Sequence, residues 1–406
     1  MSAELSEMQQ TAFSAEPAAT DDAALISRIM RAYRHAMSEF QGHGNSQWAG
    51  NHARSAVLHD MLLNSAVDDV ATQLRNPATN DLLYGFDEAT RSIYSAHQAG
   101  GQTSRDAWGA GVHQRLIRLA EAVGAIPVLL QNANRPDDRD LKIEALLAKL
   151  DETLGFTIDF PNPYPGEFGL QSSRGLINHR AVFALYQAWR LATWASGNGH
   201  ARVLEIGAGS GRTAYYAWKL GLRDYTIVDL PLTDVAQANF LGRVLDPSLL
   251  VLSDENTDAA QRDRIRIFGP AWFDGSADVF DVALNADSIT EMDRGHAAAY
   301  FEKLASRAGV FISINHEANS FSAKDLPTFA GVLHKPLRYP YWLDDSYVEE
   351  TFIFRNRTPA PPDAEAEIKR LGRMIADLQQ RTTAMDSVRA LARRLIDLTG
   401  RRLTGR

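Results

Sequence analysis

Between Val203 and Asp229 the chain reads VLEIGAGSGRTAYYAWKLGLRDYTIVD. Two apolar runs, each the length of one strand, flank a glycine triplet and a helix-length segment, and the second run ends on an acid. This layout of strand, tight turn, helix, strand and acid constrains the fold more than any other feature. It is one mononucleotide-binding half of a doubly wound α/β sheet. Gly207, Gly209 and Gly211 stand at alternate positions, where they let backbone N–H groups approach a ligand that a Cβ would block. Asp229, at the tip of the second strand, is placed to accept hydrogen bonds from two ribose hydroxyls. A dinucleotide fingerprint needs a small residue where this chain has Arg212, and a P-loop needs a lysine that does not follow the glycines.

The segments around this motif extend the same pattern. Apolar runs at 202–206, 225–229, 249–253, 265–268, 279–285, 309–315 and 348–355 predict strands, with helices between them at 213–220, 235–245 and 294–306. Such alternation predicts a mostly parallel sheet covered on both faces. Upstream, from Asp22 to about Gly155, the pattern is helical. Ile26, Ile29, Met30, Tyr33 and Met37 share one face, as do Val57, Leu58, Met61, Leu62, Ala66, Val67, Val70 and Leu74. Further helices are expected at 108–123 and 141–154. Three prolines and three glycines in 160–175 argue against a regular element there, and a bulky helix follows at 178–195.

The expected organisation is a disordered 1–22, a helical region at 23–158 that serves as lid or packing domain, and a connector with its helix at 159–200. A ligand-binding α/β domain at 201–358 and a C-terminal helix at 359–406 complete it. In the last segment Ile368, Leu371, Ile375, Leu378, Thr382 and Met385 repeat at heptad spacing. The tail then turns basic, so a coiled coil pairing subunits, a membrane-surface contact and simple packing on the sheet domain all fit it.

Composition bounds the function. The chain has 406 residues, a net charge of −8 and no cysteine. Disulfides, thiolate catalysis and cysteine-ligated zinc are excluded, and the acidic balance argues against nucleic acid as a partner. The N-terminal stretch lacks the apolar core of a secretory signal, and no apolar run is long enough to span a bilayer. A cytoplasmic protein is expected, with peripheral contact at the inner membrane surface left open, and a homo-oligomer is expected.

The E-x-G-x-G-x-G form of the turn resembles motif I of class I S-adenosylmethionine (SAM) methyltransferases. The segments IVDLP at 227–231, ALNADSITEM at 283–292, SINHE at 313–317 and YPYWLDDSYVEETF at 339–352, with NPY at 162–164, are similar to the sugar O-methyltransferase family of bacterial polysaccharide clusters. The resemblance covers roughly 155–357. It implies a Rossmann-like class I sheet whose last strand inserts antiparallel, and SAM as cofactor. Glu205 would orient the glycine loop or meet the methionine amine, the backbone of Gly207, Ala208, Gly209 and Gly211 would line the cofactor, and Asp229 would hold the ribose. Leu230 would flank the adenine, with Asn285 a further contact. Ser253 and Asp254 are candidates for the adenine edge, in competition with the segment near Phe268.

Methyl transfer to a hydroxyl needs an aligned acceptor and a group that removes its proton. The place to search is the carboxyl end of the strands. Asp287, Ser288 and Glu291 follow one strand there, and His316 and Glu317 another. His316 is the first choice of base because its ordinary pKa suits neutral pH, with Glu317 or Asp287 to orient it. Asp287 itself, with Glu291 one turn on, is the alternative. These groups also admit a hard cation such as Mg²⁺, though no spacing is diagnostic and no metal is favoured. Arg174, His179 and Arg180 are candidates to close the site, while Ser288, Tyr341 and Trp342 are candidates to meet the acceptor, the two aromatics by stacking on a sugar ring. The expected function is SAM-dependent methylation of a sugar or sugar-like hydroxyl. The rivals are methylation of a phenol, amine or carbon acceptor, and a silent SAM-binding scaffold.

Overall fold

The computed structural model describes residues 10–15, 22–42, 46, 48–128, 141–195, 200–255, 262–326 and 336–354, with only the backbone of 51 and 52. The tail at 359–406, and with it the expected heptad seam, lies outside the described residues.

The N-terminal part opens with a short strand, β1 (Thr11–Phe13), then helices α1 (Ala23–Glu39), α2 (Trp48–Arg54), α3 (Ala56–Asn64), α4 (Val67–Arg75), α5 (Arg91–Ala99), α6 (Gln102–Val123) and α7 (Ile143–Leu154). The single helical run expected over 57–74 is broken at Ser65 and Ala66, both extended. One straight helix would turn Val70 about 80° away from the face of Leu62, and the break lets both be buried. Val57 consequently points outward, 76% exposed.

Two departures from the sequence reading follow. Thr11–Phe13, in the stretch expected to be disordered, pairs antiparallel with β2 (Phe168–Ser172). β2 in turn pairs with β3 (Gly175–Ile177) inside the supposed irregular connector. The glycines and prolines there shape a tight hairpin rather than prevent one. Helix α8 (His179–Trp194) begins on Asn178, whose side chain accepts from the Ala181 N–H at 2.9 Å, an ordinary N-cap.

The central sheet has eight strands: β4 (Arg202–Ile206), β5 (Asp224–Val228), β6 (Leu250–Leu252), β7 (Arg264–Phe268), β8 (Phe280–Ala286), β9 (Ala308–His316), β10 (Leu337–Pro340) and β11 (Tyr347–Ile353). Their order is β10-β11-β9-β8-β4-β5-β7-β6. The six strands from β9 to β6 are parallel. β11 inserts antiparallel beside β9, as expected, and β10, unforeseen in the sequence, pairs antiparallel with β11. Helices α9 (Arg212–Lys219), α10 (Pro231–Val244), α11 (Pro270–Gly275) and α12 (Arg294–Arg307) connect the parallel strands. This is the doubly wound, Rossmann-like α/β fold. Strand order reverses between β4 and β8, and the crevice at that switch point is where such sheets take ligands.

The N-terminal helices share the core of the sheet. Leu25, Ile26, Ile29 and Tyr33 of α1 belong to one buried apolar cluster with Val235, Ala238 and Leu241 of α10 and with Ile265 and Ile267 of β7. Polar ties reinforce the seam. Arg28 forms a fork on Glu255 at 2.7 and 2.9 Å, and the buried Asp22 joins Arg75 and Arg243. On the opposite face Phe273, Phe301, Phe311 and Phe352 form a second cluster. Among the described residues no helix is long and apolar enough to cross a membrane.

Truncating Ile29 to alanine should cost about 2–5 kcal/mol. Because helices and sheet share one core, urea curves followed by tryptophan fluorescence and by far-UV circular dichroism should shift together. A separate early transition confined to the helices would contradict this.

Candidate functional site

A cavity of about 560 Å³ lies over the carboxyl ends of β4, β5, β7 and β8. The glycine turn forms its floor. Gly207, Gly209 and Gly211 have φ of 74°, 57° and 86°, a left-handed region that L side chains rarely adopt. At Gly207 a Cβ would stand 2.0 Å from the Ser288 hydroxyl, and at Gly209 3.4 Å from the Cβ of Phe86. The turn is thus pressed between the β8 loop and a segment from the helical region.

Arg212 holds the turn in place. Its side chain is buried and donates to Asp87 at 2.8 and 3.3 Å, to Glu167 at 3.1 Å and to the Pro161 carbonyl at 3.4 Å. Ser210 donates to the same Asp87. Burial pushes Asp87 up, but the charge and hydrogen bonds of Arg212 outweigh it and hold the carboxyl at about 2. Burial and the neighbouring Asp87 push Glu167 up to about 7, against the pull of Arg212. The residue that ruled out a dinucleotide fingerprint is therefore the bolt between the turn, the helical region and the β2–β3 hairpin.

Two carboxyls line the inner wall. Glu205 is buried, accepts from the Tyr225 hydroxyl at 2.7 Å, and is pushed up to about 7 by burial. Asp229 accepts from the Leu230 N–H at 2.8 Å and the Gln237 amide at 2.7 Å. Burial raises it to about 7 despite these bonds and those from the N–H groups of Ala208 and Gly209. Leu230 lines the cavity beside it, next to Thr233.

Ser253 and Asp254 are elsewhere. β6 is the edge strand, so its end is covered by α1. Ser253 donates to the Ala32 carbonyl at 2.9 Å and Asp254 faces Arg31 at 3.4 Å. β7 lies beside β5 instead, and Pro270, Ala271 and Asp274 after it line the cavity. The competing position near Phe268 is the one at the cavity. Asn285 does not line it either. It is buried beneath the turn, donating to the Ile206 carbonyl at 2.8 Å and accepting from the Ile289 N–H at 3.1 Å.

The outer end of the cavity carries Asp287, Ser288, Arg180, Tyr341 and Tyr347. Asp287 has a positive φ of 56°. One of its oxygens accepts from the Tyr347 hydroxyl at 3.0 Å, while the other is buried without a hydrogen-bond partner, 3.7 Å from His316 Nε2. His316 stands behind Asp287 rather than on the cavity wall, and its Nδ1 accepts from the Ala318 N–H at 3.3 Å. That bond leaves the proton of a neutral ring on Nε2, facing Asp287. Glu291 is also behind the wall. It accepts from the Trp48 indole at 2.8 Å, and burial with Asp287 nearby pushes it up to about 7. Asp287, Glu291 and His316 each bring one ligand atom to within 4.8 Å of the others. The Nε2 proton must leave before that set can hold a metal.

Several expected residues are displaced. Glu317 turns outward, and its bonds to Lys324, Arg338 and Ser322 hold it at about 2. It does not orient His316, because it lies past the end of β9 and is held by Lys324 and Arg338. Beyond the end of β10, Tyr341 is buried, 3% exposed, while Trp342 sits in the turn that follows, 44% exposed. Arg174 is locked on Asp151 at 2.7 Å, and His179 on Glu88 at 2.5 Å, both off the cavity wall. Phe86, Trp48, Phe183 and Gln187 line the cavity without having been singled out. A readable signal existed for the last two, since Arg180, Phe183, Ala184 and Gln187 form an i, i+3, i+4, i+7 stripe on α8.

No family model matches the chain, and no curated protein matches it. Solved structures do. The mitomycin 7-O-methyltransferase MmcR aligns over 82% of this chain and 96% of its own, at 14% identity and a TM-score of 0.32. The magnesium protoporphyrin IX methyltransferase ChlM from Synechocystis PCC 6803, solved with bound SAM, aligns over 44% of this chain and 85% of its own, at 12% identity and a TM-score of 0.29. Fold and site rest here on strand order and side chains, not on these likenesses.

Replacing Asp87 by asparagine leaves Arg212 buried with one charge partner fewer, which should cost about 3–5 kcal/mol at pH 7. A carboxyl held low contributes stability above its unfolded pKa and loses it as pH falls through the folded value. The gap between wild type and Asp87→Asn in urea unfolding should therefore narrow from about pH 4 toward pH 2. A gap that stays constant across that range would contradict the charge argument.

Proposed function

We propose that the chain is a SAM-dependent O-methyltransferase whose acceptor is a hydroxyl of a sugar or sugar-like molecule. One observation carries the reading. The left-handed glycine turn and the pinned Asp229 carboxylate share a single cavity with Asp287, which stands across it at the end of the neighbouring strand. The sugar assignment leans on the resemblance of 227–231, 283–292 and 313–317. A wall that mixes hydrogen-bonding groups (Asp287, Ser288) with the aromatic rings of Tyr341 and Tyr347 fits it.

SAM supplies a methyl group already activated on a sulfonium, and an acceptor oxygen takes it with inversion. The chain's own residues bind, align and move a proton. The turn offers backbone N–H groups, Asp229 takes the ribose hydroxyls, and Glu205 meets the methionine amine. Asp287 takes the hydroxyl proton, because it is the acid on the cavity wall at the acceptor end. Its oxygen without a partner faces His316, which acts through it as a positioning residue. Tyr347 fixes the other oxygen. Phe86, Trp48 and Phe40 line the cavity and give it an apolar flank.

Asp287→Asn should lower kcat by about 10²–10⁴ while leaving S-adenosylhomocysteine binding intact, and His316→Ala should lower it less. Methyl transfer assayed across glycosides, phenols and amines tests the acceptor. Turnover only on a phenol or amine would sink the sugar assignment, and loss on chelation with recovery by Mg²⁺ would replace Asp287 by a metal. Asp229→Ala should abolish cofactor binding.

The pH dependence has a definite sign. Glu205 and Asp229 are both raised to about 7 in the free protein, and ribose hydroxyls and an ammonium both favour the charged carboxylate. Binding therefore releases protons and weakens below pH 7, by about tenfold or more per unit. Calorimetry in two buffers of different ionisation enthalpy reads the proton count. An affinity flat from pH 5.5 to 8 would contradict it.

A further inference from the structure

We infer that Arg180 binds the carboxylate at the methionine end of the cofactor, an inference that rests on the SAM reading above. The methionine end is a zwitterion, and the cavity is unevenly supplied to receive it. Acids abound on its wall: Glu39, Glu205, Asp229, Asp274 and Asp287. Among the described residues, the guanidinium groups there are those of Arg180 and Arg212. Arg212 is spent on Asp87 and Glu167.

Arg180 is not spent. Its Nε is buried with no hydrogen-bond partner. One terminal nitrogen reaches the Gly85 carbonyl only at 3.4 Å, and the other stops 3.7 Å from Asp287. None of these is a short charge-assisted bond of the kind a guanidinium makes with a carboxylate. A planar fork held in a cavity with open donors is matched by a planar anion.

Its neighbours place the guanidinium against the turn. Gly85 precedes Phe86, which lies on Gly209, and Asp287 precedes Ser288, which lies on Gly207. Arg180 therefore stands between the two segments that flank the glycine turn. Helix α8 sets it there. Seven residues along the same stripe, Gln187 accepts from the Thr213 hydroxyl at 2.6 Å, and Gln187, Thr213 and Glu205 all line the cavity. One helix face thus runs from the acid that meets the amine to the cation that meets the carboxylate.

The test uses the full chain without acceptor and compares two probes by calorimetry. S-adenosylhomocysteine carries the aminocarboxypropyl tail, and 5′-methylthioadenosine lacks it. Arg180→Met should weaken the first by about tenfold to a hundredfold and leave the second unchanged. Arg180→Lys, which keeps the charge but not the fork, should fall between. Equal loss for both probes, or no loss for S-adenosylhomocysteine, overturns the inference, the latter placing Arg180 on the acceptor. Wild-type protein that binds neither probe removes the SAM reading itself, so the two failures are distinguishable.

Discussion

The buried guanidinium of Arg212 is the constraint on which the rest of this structure depends. A charge there is tolerable only because Asp87, Glu167 and the Pro161 carbonyl surround it. Each comes from a different place: the segment after α4, the β2–β3 hairpin and the bend before it. The pair itself adds little net stability compared with an apolar core, but removing a member is costly. What it gives is definition. The glycine turn is held on one side by the helical region and on the other by the residue that opens the hairpin, and those helices share one core with the sheet.

That arrangement determines the chemistry of the cavity. With the turn fixed, Asp229 is bound by backbone N–H groups and by Gln237, and Glu205 by Tyr225. Both carboxyls are oriented before any ligand arrives, and burial has raised both toward neutrality. A ligand that restores their charge gains from doing so. At the other end Asp287 combines a strained backbone with one oxygen held by Tyr347 and one buried without a hydrogen-bond partner, facing His316. The cavity is preorganised at its floor and reactive at its mouth, a division that suits transfer from a tightly held donor to a looser acceptor.

Much of this was legible in the chain. Seven of the eight strands of the main sheet fall within two residues of their expected positions, and the six parallel ones among them read as apolar runs because they are buried. Glu205, Gly207, Gly209 and Asp229 line the cavity as the motif implied, whereas Gly211 is off its wall, packed on Leu241. The failures have physical causes. Ser253 and Asp254 lost to the segment after Phe268 because β6 is the edge strand, and no local pattern reveals which of two apolar runs pairs with β5. Glu317 and Trp342 failed because both lie just past a strand end, where Lys324 and Arg338 hold the first outward and a turn exposes the second. The strands β1, β2, β3 and β10 were missed because each is only three to five residues long, and β1 also depends on a partner more than 150 residues away.

By itself, then, the sequence determined the local grammar: which segments are strands and helices, where the backbone must turn left-handed, and which acid closes the second strand. These follow from interactions within a few residues. Only the tertiary structure decided which strand lies beside which, which acid of several faces the cavity, and that Arg212 ties three distant segments together. Such facts depend on pairings that span from 40 to 125 residues, where burial and charge compensation rather than local conformational preference select the neighbour.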